Sequence, residues 1–372
     1  MLQLQFKPEL HYFDTCREFV GHFQLTAEDI VLSNRYIYEP FLGPFRLPAK
    51  VLYQEDFGVG EPTDLMVDAI LERMEGMGGG RVVAIGGGTI IDIAKVLAVA
   101  PAGARTDDLY RDMAHLEAQR ELVLLPTTCG TGSEVTSISI LNRTKLGSKM
   151  GLVSPAMFAR QAVMVPELLS SLPWGVFATS SIDALVHAVE SALSPKATPY
   201  TLVFSHKAME LILRGYQAIR REGRDAYRKF MKDFLLASNF AGLAFGTAGC
   251  AAVHALSYPL GGTYHVPHGE SNYALFTAVL TAYGKAGLSG RLAELADALA
   301  ALLSCRREEA FDKLAELLSF LLPLKRLHEY GMTEQDIPLF AHNVIATQQR
   351  LLANNFMPLS EAEVADIYAS RL

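Results

Sequence analysis

Apolar residues follow two different patterns along the 372-residue chain. In the first half, short apolar runs end in turn residues: DIVLSN (29–34), KVLYQED (50–56), RVVAIGGG (81–88) and ELVLLPTT (121–128). Each reads as a buried strand, and stretches such as DLMVDAILERMEG between them have helical spacing. That alternation predicts a parallel sheet covered on both faces. Beyond about Pro173 the strand-like runs stop. Segments 179–193, 200–219, 231–256, 288–302, 307–320 and 333–354 are apolar with helical period and have nothing β-rich between them. The expected architecture is an α/β N-terminal domain on a parallel sheet, residues 1–173, followed by an all-α C-terminal domain, residues 174–372. No repeat or low-complexity linker separates the halves, so they are expected to pack directly, with a small-molecule cleft between them.

Two loops at predicted strand ends carry candidate chemistry. RVVAIGGGTIIDIAKVLA is a strand, three glycines and a helix. Gly86, Gly87 and Gly88 allow close backbone approach, and the helix start offers free N–H groups and a positive dipole end to an anion such as a pyrophosphate. A plain turn with a Thr89/Asp92 capping box accounts for the same residues, and the spacing matches neither GxGxxG nor the Walker loop. LPTTCGTGSEVT (125–136) crowds Thr127, Thr128, Thr131 and Ser133 around two glycines. Ligands in open α/β sheets bind at this edge, although a polar turn looks alike. Cys129 has no general base nearby in sequence and is assigned no nucleophilic role.

The helical half holds the histidines. Asp183 and His187 stand four apart, one turn along a helix face, and Glu190 extends the stripe. On that segment alone, a solvated face opened by a Ser180/Asp183 capping box is the simpler account. Downstream, VHALSYPLGGTYHVPHGE (253–270) places His254, His265 and His268 within fifteen residues. His254 ends an uncharged helix, and His268 follows a Pro- and Gly-rich turn that can fold back on it. Combined with Asp183 and His187, these give one carboxylate and three imidazoles, a set suited to divalent iron or zinc and too nitrogen-rich for magnesium or calcium.

Charge and cysteine content narrow the classes. The net charge is -7 with Lys and Arg scattered, so no nucleic-acid partner is expected. Four cysteines without CxxC spacing fit a reducing cytoplasm rather than a disulfide or thiolate-metal framework. The N-terminus carries no signal-peptide pattern, and the chain is expected to begin at Met1. The charge-free run Phe234–Tyr264 is long enough to span a bilayer, but its Asn239, His254, Pro259 and glycines suit a buried helix plus a loop, so no membrane partner is expected.

Taken together the motifs resemble those of the iron-containing (group III) alcohol dehydrogenase family over essentially the whole chain. GGGSxxDxxK appears as GGGTIIDIAK, PTTxGTGSE as PTTCGTGSE, DxxxH as Asp183 to His187, and HxxxHPxxxxxxxPHG as HALSYPLGGTYHVPHG. The resemblance implies a dehydroquinate synthase-like fold with an N-terminal nucleotide-binding domain. It implies a metal, Fe2+ or Zn2+, held by Asp183, His187, His254 and His268, and NAD contacted by Gly87, Gly88, Thr127, Thr128 and Lys149. Asn34 falls where many members carry an Asp against the adenosine ribose; it keeps the hydrogen bond without the charge that repels a 2'-phosphate. Tyr258 replaces a His often proposed for proton transfer, leaving Tyr258 and His265 as candidates for that role.

Through FDTCREF, GVGEPTD and SSIDALVHAVESALSPKATPYT the resemblance extends to a member acting on a small ω-hydroxy acid or its aldehyde. His265, Tyr258, Lys145, Arg143 and Arg350 are candidates for its carboxylate, unless all five are surface or structural residues around an apolar site. The competing classes are a family dehydrogenase for an uncharged alcohol or diol, a metal-dependent lyase resembling dehydroquinate synthase, and a non-catalytic nucleotide-binding protein. The expected assembly is a homodimer.

Overall fold

In the computed structural model, which describes residues 2–372, the four apolar runs of the first half form adjacent parallel strands. The strands are β1 (Glu9–Tyr12), β2 (Asp29–Ser33), β3 (Lys50–Tyr53), β4 (Arg81–Gly86), β5 (Glu121–Pro126), β6 (Ile138–Arg143), β7 (Ser148–Val153) and β8 (Gln161–Met164). Six make one sheet in the order β1-β8-β5-β4-β2-β3, every pair parallel, while β6 and β7 form a separate antiparallel pair. Strand register is set by burial. Ile30 and Leu32, Val82 and Ala84, and Leu122 and Leu124 alternate onto one face and pack with helix Asp64–Met74 and with α1 (Gly88–Val99).

The chain runs from β2 to β3 on one side, then crosses back to β4 on the other side of β2. The topological switch point therefore lies between the carboxyl ends of β2 and β4, where ligands of such sheets bind. Asn34 follows β2, and the three glycines end β4 and open α1.

This sheet belongs to one unit, Phe6–Leu172; a second unit comprises Pro173–Leu372 with the N-terminal residues up to Gln5. The second unit is helical: α2 (Trp174–Leu193), α3 (Pro199–Glu222), α4 (Met231–Ala248), α5 (Ala252–Tyr264), α6 (His268–Lys285), helices Gly290–Leu303, Ala310–Leu321 and Asp336–Thr347, the short α7 (Gln349–Leu352) and Glu361–Arg371. The segment 231–256, expected as one helix, is two. Gly249 adopts φ 82°, a left-handed conformation that side chains rarely take, and the chain bends by 103° between Arg224–Ala248 and Ala252–Tyr264. Among the described residues no single helix is long and apolar enough to cross a membrane.

Candidate active site

Helix α2 is buried on nearly every face from Phe177 to Leu193, so its polar residues are not a solvated stripe. Asp183 is 2 % exposed and His187 and Glu190 4 % each. Nor does Ser180 cap anything: α2 begins at Trp174, and Ser180 lies inside it, its hydroxyl donating to the Phe177 carbonyl. Burying an acid and an imidazole with no partner would be costly. Their partners come from the two helices after the Gly249 bend.

Helix α5 delivers His254, and α6 begins at His268. Gly269 explains how α6 approaches so closely, since a Cβ there would lie 2.6 Å from the Thr179 carbonyl oxygen and 3.4 Å from the Asp183 Cβ. Ligand-capable atoms of Asp183, His187, His254 and His268 all lie within 4.8 Å of one another. The Nε2 atoms of His187 and His254 are 3.0 Å apart, and His268 Nε2 is 3.7 Å from an Asp183 oxygen. The His187 ring stacks on the Phe245 ring, 4.3 Å away centre to centre, and on the His254 ring at 4.7 Å.

Glu190 sets the orientation of His254. One carboxylate oxygen accepts from His254 Nδ1 at 2.6 Å and from the Ala251 N–H at 2.9 Å; the other accepts from the Val253 N–H at 2.6 Å. With Nδ1 bound to Glu190, His254 turns its Nε2 toward His187, leaving that nitrogen as the atom it would offer a metal. Asn272, one turn after His268, donates to Asp183 Oδ1 at 2.7 Å and leaves its own Oδ1 without a partner. Cys250 completes the surroundings, its Sγ within 4.8 Å of ligand-capable atoms of Glu190 and His254. Sequence inspection noted Glu190 only as part of a stripe and passed over Asn272 and Cys250. Asn272 had one legible signal, its i, i+4 spacing from His268.

The electrostatics are mutual. Burial alone would raise the Asp183 carboxyl pKa, but His187, His268 and His254 hold it below the ordinary value. Burial would lower both buried imidazoles, yet Asp183 and Cys250 raise His187, and Cys250 and Glu190 raise His254 well above its usual range. The Cys250 thiol, which burial pushes up, is drawn down to about 7 by His254 and His187. Imidazole lone pairs and a carboxylate converging on one point fit a divalent transition-metal ion, and the carboxylate-bound Nδ1 of His254 is the outer partner such a ligand needs.

The other candidate residues lie on the sheet unit. Ser33 pairs with Ile85 and Gly86 with Pro126, so Asn34, Gly87 and Thr127 follow the aligned carboxyl ends of three neighbouring strands. Helix α1 starts at Gly88 with Gly87 as its N-cap and no side-chain cap, leaving first-turn N–H groups free for an anion. The Thr89/Asp92 capping box is absent because Asp92 is used elsewhere, accepting from Ser133 Oγ at 2.6 Å and the Ile140 N–H at 2.9 Å. Gly88 also lets the 127–131 loop come close: a Cβ would sit 2.7 Å from Thr131 Cγ2, and one on Gly87 3.2 Å from Thr128 Cγ2. Lys149, on β7, pairs with Glu61 at 2.6 Å.

A family model for iron-containing alcohol dehydrogenase matches residues 29–166, and its C-terminal counterpart matches residues 177–372. The chain belongs to the iron-containing alcohol dehydrogenase family. It is 44% identical over 371 residues to 4-hydroxybutyrate dehydrogenase of Clostridium kluyveri, covering 99% of each chain. It is 35% identical over 336 residues to long-chain-alcohol dehydrogenase 1 of Geobacillus thermodenitrificans, covering 85% of this chain and 83% of that one. Among solved structures, 1,3-propanediol oxidoreductase superposes with a TM-score of 0.84 at 24% identity over 100% of both chains. Sulfoacetaldehyde reductase from Bifidobacterium kashiwanohense, in complex with NAD+, gives 0.85 at 23% over 100% of this chain and 99% of that one. The fold is that of this family, a parallel-sheet unit followed by a helical unit, and the protein is an oxidoreductase.

Proposed function

We propose that this iron-containing alcohol dehydrogenase catalyses the reversible NAD-linked oxidation of 4-hydroxybutyrate to succinate semialdehyde. The observation that carries the proposal is the 44% identity, over 99% of both chains, to 4-hydroxybutyrate dehydrogenase. In this reading residues 1–173 bind the dinucleotide, and residues 174–372 hold the metal, Fe2+ or Zn2+, through Asp183, His187, His254 and His268. When bound, the ion supplies a Lewis acid for the substrate oxygen, and the nicotinamide supplies the hydride acceptor.

The chain's own residues have separable tasks. Glu190 keeps the His254 lone pair facing inward through Nδ1. Gly87, Gly88, Thr127, Thr128 and Lys149 contact the dinucleotide, with the free N–H groups of α1 receiving its pyrophosphate. Alcohol oxidation releases one proton. Tyr258, one turn after His254 and held by burial above its ordinary pKa, relays it: the phenol oxygen accepts this proton as its own O–H proton passes on toward solvent. His265 is exposed at the end of α5 and offers a route to solvent.

Two outcomes are expected. The catalytic efficiency for 4-hydroxybutyrate should exceed that for 1-butanol, equal in carbon chain, by roughly ten- to a hundredfold, from a charge-assisted contact of about 1.5–3 kcal/mol. Parity between them would place the enzyme among dehydrogenases for uncharged alcohols. The second concerns the cofactor. Arg35, next to Asn34, is occupied: it pairs with Asp56 at 2.6 Å and stacks on Tyr53 at 4.1 Å, while Glu55 accepts from its N–H at 3.1 Å. Asn34 itself donates to Gln54 at 3.0 Å. A 2'-phosphate would meet two carboxylates and an arginine already paired, so kcat/KM should favour NAD over NADP by roughly tenfold or more, by the cost of like charges at close range. Equal or better efficiency with NADP would remove Asn34 and its neighbours from the ribose site.

A further inference from the structure

We infer that Glu61 competes with the dinucleotide pyrophosphate for Lys149 and thereby limits how tightly the cofactor is held; this rests on the reading above that Lys149 contacts the dinucleotide. The segment GVGEPTD (58–64) runs from β3 toward helix Asp64–Met74 and is fastened on both sides of Glu61. Ser33 on β2 pairs with Tyr53 on β3, so Asn34 and Gln54 follow aligned carboxyl ends of the sheet. Gln54 accepts from Asn34 Nδ2 at 3.0 Å and donates its own Nε2 to the Gly60 carbonyl at 3.0 Å. Gly60 turns the chain at φ 83°, a left-handed conformation that favours glycine. On the other side, the Pro62 carbonyl accepts from the Asn142 N–H at 2.8 Å, and Asn142 on β6 is the cross-strand partner of Lys149 on β7. Between these two fastenings the Glu61 carboxylate meets the Lys149 ammonium at 2.6 Å.

The same hairpin is tied to α1, where Asp92 accepts from the Ile140 N–H at 2.9 Å, two residues or about 7 Å along β6 from Asn142. Lys149 is thus linked through bonded neighbours both to Asn34 and to the helix whose first-turn N–H groups are free for an anion. Its ion pair is lopsided: the Lys149 side chain is 9 % exposed and the Glu61 side chain 41 %. A nearly buried ammonium is costly without an anion beside it, whereas a half-exposed carboxylate regains water when it lets go. Glu61 supplies that anion in the absence of cofactor. A pyrophosphate held on α1 brings two charges against one, and like charges around a single ammonium repel, so the carboxylate gives way to it and its return favours release.

The test is equilibrium binding of NADH to the metal-loaded enzyme, followed by NADH fluorescence, for wild type, Glu61→Gln, Lys149→Met and the double variant. Lys149→Met should weaken NADH binding roughly tenfold or more. Glu61→Gln should tighten it by roughly five- to twentyfold, the effect of removing one like charge close to the phosphates. The KM for NAD should fall by a similar factor while the KM for 4-hydroxybutyrate stays the same. In the Lys149→Met background, where nothing holds the carboxylate at the phosphate position, Glu61→Gln should change the affinity by less than about twofold. Unchanged or weaker NADH binding in Glu61→Gln, or the same tightening in both backgrounds, would overturn the competition and leave the dinucleotide reading of Lys149 standing. Wild-type affinity in Lys149→Met would overturn that reading itself.

Discussion

Replacing His254 by Ala should remove metal and turnover together. His254 is firmly placed in the quartet: 3 % exposed, fixed through Nδ1 by Glu190, with Nε2 3.0 Å from His187 Nε2. A Lewis acid contributes several kcal/mol to alcohol oxidation, so kcat should drop by roughly a thousandfold or more at about 1.4 kcal/mol per decade. Asp183→Ala, His187→Ala and His268→Ala should behave alike, and metal analysis of the purified variants reads the cause directly. Glu190→Gln should be milder, because it removes the carboxylate that holds the Nδ1 proton and leaves all four ligands in place. Metal affinity should fall roughly ten- to a hundredfold, as for other outer partners of ligating histidines. Full metal content and full activity in His268→Ala would rule out the quartet.

Lys95→Met should destabilise the sheet unit without touching metal content. Lys95 is fully buried, and its ammonium donates to Ser133 Oγ at 2.6 Å, Thr136 Oγ1 at 3.0 Å and the Ile138 carbonyl at 2.7 Å, with Asp92 3.9 Å away. It ties the 127–138 loop to α1. Removing it leaves Asp92 without its cation, a change that costs about 3–5 kcal/mol when a buried pair is broken. Thermal unfolding should therefore start several degrees lower, while metal per folded chain stays at the wild-type level. Burial draws the Lys95 pKa down from 10.5 to about 8 against the opposing pull of Asp92 and Glu134. Because the unfolded chain holds this proton more tightly, the cost of keeping the buried amine charged is felt in full below pH 8 and is relieved as pH rises to about 10.5, on top of the pH-independent loss of its hydrogen bonds. The stability difference between wild type and Lys95→Met should change in that window. Unchanged unfolding in the variant would mean that the buried ammonium is not what anchors the loop.

Legibility in the sequence followed how local each signal was. The four central strands were readable because burial on both faces makes them unbroken apolar runs. Strands β1 and β8 were not: each is four residues long, and their pairing joins segments some 150 residues apart, as Glu9 with Gln161 shows. The β6–β7 hairpin was missed too, its runs mixed with Ser, Asn and Lys. Both proposed capping boxes failed for one reason. A Ser or Thr three residues before an Asp also occurs inside helices, where tertiary partners claim the side chains, as Ser133 and Ile140 claim Asp92. In the helical unit, the Asp183–His187 spacing, the histidine ending the charge-free run and the Pro-His-Gly turn together named the four residues that the structure brings within 4.8 Å of one another. What stayed hidden was their support. Glu190 accepts from Ala251, Val253 and His254, more than sixty residues away, and no periodicity within α2 announces such partners. The bend between α4 and α5 was hidden likewise, since Gly249 sits in a charge-free run that reads as one helix.

The most direct test is to titrate metal-free enzyme anaerobically with ferrous ion while following NADH formation from 4-hydroxybutyrate. No turnover is expected without metal, then a linear rise and a break at one equivalent per chain, reflecting the single quartet among the described residues. Full turnover in the metal-free protein, or none from 4-hydroxybutyrate at any metal loading, would contradict this expectation.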